Sequence, residues 1–245
     1  AYSDNIYAVK THMFLGYDAL INVARRVGIK SKLESVPSLP LGTNEINIIE
    51  MAQGYAAFAN EGYKVEGHFI EKIENGKGEV LYEYKKNKEL VLNSSLVYIL
   101  NNMLTATYDP LYVDYNYPTG IGLNGKLTHT YALKSGTTNG DNWNIGFNKK
   151  IVCAVWVGYD NNKELSKKDY KYAQNIWYKT VESYEKDMKD EDVWYEKPKN
   201  VVGMLVEPIS GKPATESEKK QKLMYFLKGT EPKETDTTFD EITSN

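Results

Sequence analysis

Three short apolar segments follow one another closely in the second half of the chain, at residues 130–133, 143–147 and 151–159. Asn148-Lys149-Lys150 can turn between the last two, so an antiparallel meander is the economical arrangement. Residues 170–188 then have helical apolar spacing and are expected to cover one face of that sheet. The sheet constrains the fold most, because every other element must pack around it.

The first half of the chain is mainly helical in pattern. Helical spacing covers residues 4–15 and 17–27, Asn47 with Glu50 has capping-box spacing, and Asn93 can cap a further helix. Alternation around residues 75–78 predicts a hairpin. The order of helices, strands and a final helix predicts an α+β fold rather than alternating βαβ units.

The composition and charge of the chain indicate which kinds of partner it can bind. With 245 residues, 41% of them hydrophobic, the chain can bury a core without disulfides or a metal. A net charge of −3 gives no basic field for nucleic acid, so we do not expect nucleic acid as a partner. The longest apolar stretch, residues 151–158, is far shorter than the ~20 residues of a membrane span. Three scattered histidines have no ligand spacing, so we expect no metal and no cofactor.

The domain organisation follows the change in composition. Residues 1–188 form the main part, residues 189–228 a small C-terminal extension with apolar islands at 201–206 and 223–227, and residues 229–245 a solvated tail. The chain opens Ala1-Tyr2-Ser3 without Met, and we expect a segment of the parent protein to precede it.

Two short motifs carry chemistry. Ser3-Asp4-Asn5 starts the first predicted helix, and Lys134-Ser135-Gly136-Thr137-Thr138 lies on a predicted strand at the edge of the sheet. Alone, the first is also a common helix cap, and the second also suits a strand end with a glycine bulge. Together they are two of the three signatures of serine acyltransferases that act on penicillin and on D-alanyl-D-alanine.

The side chains suit the catalytic roles in such a reaction. The Ser3 hydroxyl can relay a proton, and the Asn5 amide can both donate and accept, so it can hold a peptide carbonyl. Lys134 supplies positive charge near the substrate carboxylate. The Thr137 amide can face the developing oxyanion.

The same strand suits substrate binding. Ser135 and Thr137 offer hydroxyl donors to the terminal carboxylate, and Gly136 lets a substrate strand approach the backbone. Thr138 completes the predicted substrate-binding set. The substrate would pair along this strand by β-augmentation.

Residues 1–187 resemble the C-terminal two-thirds of the transpeptidase domain of a class A penicillin-binding protein. Beyond the two motifs, the resemblance depends on four stretches in order, at residues 37–42 (PSLPLG), 50–62 (EMAQGYAAFANEG), 154–160 (AVWVGYD) and 226–232 (FLKGTEP). It implies the fold that these enzymes share with serine β-lactamases, in which an antiparallel sheet packs with helices beside a helical subdomain that carries Ser3 and Asn5 across a cleft.

The resemblance also implies function and location. The family cross-links peptidoglycan stem peptides that end in D-Ala-D-Ala and is acylated by β-lactams. Its members lie on the extracellular face of the bacterial cytoplasmic membrane, to which an N-terminal segment anchors them. Its Ser-x-x-Lys motif, which holds the nucleophile, should lie upstream of Ser3. The matches that begin at Ser183 and Ser217 follow Lys134 and are expected to be solvated. We therefore expect an upstream segment to supply the nucleophile, and this chain alone to be inactive.

Two alternatives stay open. A degenerate transpeptidase fold could act as a non-catalytic binding module, although Lys134 to Thr137 are intact. A class A β-lactamase would need a glutamate that activates water. Glu34 lies near the required stretch, but Ser35-Val36-Pro37 offers no Asn partner three residues on, which disfavours this alternative.

Overall fold

The computed structural model describes residues 1–186, 193–215 and 220–233, and these form two compact units. The first unit comprises Ala1–Asn5 and Ser94–Asn245, and the second comprises Ile6–Asn93. The helices are α1 (Asn5–Leu15), α2 (Tyr17–Arg26), α3 (Ile48–Ala59), α4 (Ser94–Leu104) and α5 (Tyr172–Glu185). The strands are β1 (Lys72–Glu74), β2 (Val80–Glu83), β3 (Ala132–Thr137), β4 (Asp141–Phe147), β5 (Val152–Gly158), β6 (Val201–Val206) and β7 (Lys222–Leu227).

The predicted antiparallel meander is confirmed. Strands β3, β4 and β5 form one sheet in that order, so β3 is an edge strand with one strand partner among the described residues. The strand β3 continues past its apolar segment through Gly136 to Thr137, so Lys134 to Thr137 lie on the edge strand as expected, and Thr138 follows its end. This extension puts most of the lysine motif on the sheet itself.

Helix α5 covers one face of the sheet, as its apolar spacing predicts. Ala173, Trp177 and Val181 are fully buried at four-residue intervals. Trp177 lies against Gly146 of β4, where an added Cβ would stand 2.3 Å from the indole ring. The glycine therefore allows the helix to approach the strand closely. Ser183, which begins one Ser-x-x-Lys match, is exposed near the end of α5, as expected for a solvated position.

The buried stripe of α5 ends in a carboxylate that its pattern did not predict. Glu185 is 3% exposed, and its Oε1 accepts a 2.5 Å hydrogen bond from Nδ2 of the buried Asn148. Its Oε2 lies 2.6 Å from Nδ1 of His129. The two atoms are in contact, but neither has hydrogen-bond geometry. These side chains form a buried polar cluster between α5 and the ends of the sheet strands.

The two apolar islands after α5 pair as the antiparallel hairpin β6–β7. Val201 is fully buried with Tyr98 of α4 and Tyr195, and Tyr225 and Leu227 pack against them. The domain boundary expected after residue 188, the second Ser-x-x-Lys match at Ser217 and most of the expected tail lie outside the described residues. The boundaries stay a prediction.

The second unit contains the three helices and the hairpin predicted for it. Asn47 caps α3 through a 2.8 Å hydrogen bond from the Ile49 amide. The second hydrogen bond of the predicted capping box, in which Glu50 would accept from the Asn47 amide, is wrong. Glu50 instead accepts hydrogen bonds from the backbone and hydroxyl of Ser31, which satisfy its carboxylate better than one distant amide. Val27, Ile29 and Ala57 form the core of this unit.

The structure corrects the expectation that Ser3 and Asn5 belong to the helical subdomain. Ser3 and Asn5 belong to the unit that contains the sheet, and the helical unit begins only at Ile6. Ser3 precedes α1, and its neighbours hold it against the sheet unit, so it is part of that unit despite its position beside a helix. In the described part of the chain, no helix has the length and apolar character of a membrane span.

Candidate active site

The two sequence motifs meet in the structure. The Nζ atom of Lys134 donates a 2.9 Å hydrogen bond to Oγ of Ser3. The same ammonium donates to the carbonyl of Ser135, which holds the lysine against its own strand. Burial lowers the pKa of Lys134, because removal from water disfavours the charged form. The pair combines a desolvated cation with a hydroxyl that can pass a proton onwards.

Ser3 has an unusual backbone conformation. Its φ is 55°, in the left-handed region that non-glycine residues seldom adopt. Its side chain is exposed apart from the lysine contact, so the hydroxyl is open to a substrate. Asn5 is the first residue of α1 and is also exposed. The structure shows no side-chain hydrogen bond for Asn5 among the described residues, and its amide can therefore bind an incoming group.

The lysine motif lies along the edge strand. Gly136 pairs with Trp143 of β4, and an added Cβ would meet only the Trp143 Cβ, at 3.5 Å, an ordinary contact distance. The fold itself thus has room for a side chain at this position. Thr137 ends the strand and is exposed, and Ser135 is half-buried. The outer edge of β3 is the side on which an extended peptide could pair.

Thr138 differs from the other motif residues because its hydroxyl is occupied. It donates to Oδ2 of Asp141 at 2.8 Å and accepts from the amides of Gly140 and Asp141. Oδ1 of Asp141 in turn accepts a 2.8 Å hydrogen bond from Trp156 of β5. Thr138 therefore holds the turn between β3 and β4, directly after the proposed substrate strand.

Sequence reasoning missed Asp141 and Trp156 as residues that shape this turn. The Thr-Asn-Gly-Asp run at residues 138–141 is a turn signal that could have located the hairpin. It also missed Tyr2, the neighbour of Ser3, whose hydroxyl donates a 2.6 Å hydrogen bond to the carbonyl of Tyr112. No pattern of the sequence indicates that contact, since the two tyrosines are 110 positions apart.

The site contains no metal-binding cluster within the described ranges 1–186, 193–215 and 220–233. Cys153 is partly buried within the sheet, and burial raises the pKa of its thiol.

Comparison with known proteins matches both parts of the chain. Residues 1–182 match the penicillin binding protein transpeptidase domain, and residues 197–241 match the C-terminal domain of penicillin-binding protein 1A. The chain is 40% identical over 233 residues to penicillin-binding protein 2D of Bacillus subtilis, covering 95% of this chain and 33% of that protein. It thus spans about a third of that relative's length.

Solved structures support the same fold. Penicillin-binding protein 1A of Haemophilus influenzae superposes with a TM-score of 0.81 and 23% identity, covering 97% of this chain and 40% of that one. PonA1 of Mycobacterium tuberculosis, in complex with penicillin V, superposes with a TM-score of 0.59 and 21% identity, covering 74% of this chain and 53% of that one. The match over residues 1–182 covers well over half of the chain. The chain therefore belongs to the family of penicillin-binding protein transpeptidases.

Proposed function

We propose that this chain supplies two walls of the active site of a peptidoglycan D,D-transpeptidase, a serine acyltransferase. The observation that carries the proposal is the 2.9 Å hydrogen bond from Lys134, on the edge strand β3, to Ser3. The substrates would be stem peptides that end in D-Ala-D-Ala, and β-lactams would acylate the same site. The complex of PonA1 with penicillin V supports this ligand class.

The nucleophilic serine would belong to a Ser-x-x-Lys segment outside this chain. The match that begins at Ser183 is exposed and lies on α5, the helix that covers the sheet, so it does not suit a nucleophile. That serine would attack the carbonyl of the penultimate D-Ala and break its amide bond to the terminal D-Ala. An amine from a neighbouring stem peptide would then take the acyl group and release the serine.

The residues of this chain would transfer the proton to the leaving amine and stabilise the charges that form during the reaction. The Ser3 hydroxyl would pass a proton to the leaving amine, and the ammonium of Lys134 would keep that hydroxyl polarised and replenish its proton. The Asn5 amide would hold the peptide carbonyl of the substrate. Because Lys134 is desolvated, its charge acts more strongly than it would in water.

The edge strand would bind the substrate. Ser135 and Thr137 would donate hydroxyl hydrogen bonds to the terminal carboxylate, and the Thr137 amide would face the oxyanion. The peptide would pair along β3, and the absent side chain of Gly136 would let it approach. Thr138 would contribute by holding the turn that follows, since its hydroxyl is already bonded to Asp141.

The proposed location is the outer face of the bacterial cytoplasmic membrane, with an anchor in a segment outside this chain. This location is the one in which a cell-wall cross-linking enzyme meets its substrate. The small element at residues 197–233, within the match to the penicillin-binding protein 1A C-terminal domain, would be a further part of the same enzyme.

Intact-mass spectrometry under denaturing conditions tests the proposal. The full-length gene product, and this chain alone, are incubated with benzylpenicillin. We expect the full-length product to gain the mass of one penicillin and this chain alone to gain none. A full-length product that gains no mass would contradict acyl-transfer activity and favour a non-catalytic binding module. Rapid release of the adduct as hydrolysed penicillin would favour a β-lactamase.

A further inference from the structure

The segment that carries Ser3 is held by one neighbouring loop. The Tyr2 hydroxyl donates a 2.6 Å hydrogen bond to the carbonyl of Tyr112, and the two rings meet edge to face with centroids 6.2 Å apart. The Thr119 amide donates a 3.1 Å hydrogen bond to the carbonyl of Ala1. These contacts fix the residues immediately before the relay hydroxyl.

Ser3 needs such support because of its backbone. Its left-handed φ of 55° is sparsely populated for a residue with a side chain, and such a conformation persists only where the surroundings impose it. Lys134 holds the hydroxyl on one side, and Tyr2 holds the preceding backbone on the other. A shift of Tyr2 would therefore move or relax Ser3.

The loop that receives Tyr2 is itself tied to the C-terminal hairpin. Tyr112 ends a short 3-10 turn, Pro110–Tyr112, whose first turn is capped by Asp109. Oδ1 of Asp109 accepts a 2.9 Å hydrogen bond from the Leu111 amide, and Oδ2 forms an ion pair with Lys222 of β7. One carboxylate thus shapes the turn and binds the hairpin.

The ion pair between Asp109 and Lys222 is less exposed to solvent than a second ion pair nearby. The Asp109 and Lys222 side chains are 14% and 27% exposed, whereas those of Asp114 and Lys220, paired on the same loop, are 66% and 40% exposed. Water screens the exposed pair strongly and the half-buried pair of Asp109 and Lys222 less. Of these two ion pairs, that of Lys222 is therefore the stronger link between the hairpin and the loop.

The β6–β7 hairpin can restrain the loop that Lys222 binds, because the hairpin is itself packed against α4. Val201 is fully buried, and Tyr225 packs edge to face on Tyr98 of α4 with ring centroids 5.2 Å apart. Ser95 of α4 donates a 2.7 Å hydrogen bond to the Asn200 side chain just before β6.

Taking the acyl-transfer function proposed above as the basis, we infer that the β6–β7 hairpin positions the relay serine through Lys222, Asp109 and Tyr112, with Tyr2 as a positioning residue of the reaction. The small C-terminal element would thus support the chemistry of the site without touching substrate. Removal of the hairpin's cation would loosen Ser3 even though the two are far apart in sequence.

Acylation kinetics of the full-length gene product with a fluorescent penicillin test this inference. Tyr2→Phe removes only the hydroxyl, and we expect the acylation rate constant at saturation to fall about fivefold, the scale of one lost hydrogen bond, with the dissociation constant of the first complex unchanged. Lys222→Gln should lower the same rate constant about threefold. Lys222→Arg keeps the cation and should restore the rate.

Matched controls separate positioning from general damage. Tyr117→Phe changes an exposed tyrosine of the same loop, and Lys228→Gln changes an exposed lysine just after β7. Neither should change the rate constant. The double variant Tyr2→Phe/Lys222→Gln should lose no more than about twofold beyond Tyr2→Phe alone, since both changes affect one coupled path. Full additivity, or an unchanged rate in Lys222→Gln, would overturn the inference.

Hydrogen exchange gives a second readout that needs no catalysis. Peptides that cover residues 1–8 should exchange faster in Lys222→Gln than in the wild type, and at the wild-type rate in Lys228→Gln. Equal exchange in all three proteins would contradict the coupling. If the wild type is not acylated, the proposed function fails, and the exchange result still decides whether the hairpin holds Ser3.

Discussion

The ammonium of Lys134 and the hydroxyl of Ser3 lie 2.9 Å apart, although 131 positions separate them in the chain. The lysine comes from an edge strand and the serine from the residues just before a helix. Their contact brings a cation to a hydroxyl that is otherwise open to solvent. The proton relay that we propose depends on this one contact.

Lys134→Ala should slow β-lactam acylation of the full-length gene product by at least ~100-fold, the scale of one preorganised electrostatic contact in an active site. The variant removes the cation that polarises Ser3, while the strand pairing of β3 stays in place. Stopped-flow measurement with a fluorescent penicillin provides the rate. Lys126→Ala, at an exposed lysine of the same unit, is the matched control and should react at the wild-type rate. An unchanged rate in Lys134→Ala would remove the lysine from the mechanism.

Two glycines of the sheet should respond in opposite ways to substitution by alanine. At Gly136 an added Cβ meets only an ordinary contact at 3.5 Å, so Gly136→Ala should leave the melting temperature close to that of the wild type. The same methyl group would displace a substrate strand on β3, and acylation should fall by roughly 10-fold to 100-fold. Wild-type acylation would show that substrate does not approach Gly136.

Gly146→Ala is the counterpart. Its Cβ would lie 2.3 Å from the Trp177 ring, so helix α5 must shift, at a cost of about 1–3 kcal/mol in the free energy of unfolding. Urea denaturation measures that cost. A loss of stability in Gly136→Ala with none in Gly146→Ala would contradict both assignments.

Much of the fold follows from local patterns, because these elements bury apolar residues at regular intervals. Trp177 and Val181 of α5 lie where their spacing predicts, and the apolar islands around Val201 and Leu227 form the strands β6 and β7, whose pairing the sequence did not indicate. The exceptions are polar residues with distant partners. Glu50 fits a capping box locally, but its carboxylate is satisfied by Ser31, and no periodicity indicates such a competition.

The sequence motifs name candidate site residues, but they do not give the arrangement of those residues in space. Sequence motifs identify Ser3 and Lys134, and only the family resemblance suggests that they meet. The support of Ser3 by Tyr2 depends on a backbone carbonyl, which has the same chemistry at every residue and leaves no signature in the sequence. Contacts of this kind are visible only when the fold is known.

Glu185 offers a stability test of the buried polar cluster. Glu185→Ala leaves the side chains of Asn148 and His129 buried without their carboxylate, and we expect a loss of about 3 kcal/mol in the free energy of unfolding. Glu182→Ala, one turn earlier, removes a carboxylate that binds Thr128 at the surface and should cost below ~1.5 kcal/mol. Urea denaturation compares the two. Equal costs would show that the buried cluster contributes no more than a surface contact.

The lowered pKa of Lys134 predicts a pH dependence of stability. Burial disfavours the charged lysine in the folded state, so between the lowered native pKa and the ordinary lysine pKa of 10.5 the unfolded chain binds more protons than the folded one. The free energy of unfolding contributed by Lys134 therefore rises with pH across that interval and is lowest below it. In Lys134→Met this contribution is absent.

Chemical denaturation of the two proteins between neutral pH and pH 10.5, the ordinary pKa of a lysine, measures the effect. The tyrosines titrate in both proteins, so their contribution cancels when the free energy of unfolding of one protein is subtracted from that of the other. We expect wild type to gain stability relative to Lys134→Met as the pH rises. Acylation should change in the opposite direction, because a neutral Lys134 cannot supply the relay proton. A stability difference that does not vary with pH would mean that Lys134 is as well solvated in the folded protein as in the unfolded chain, and the desolvated cation on which the proposed relay depends would then be absent.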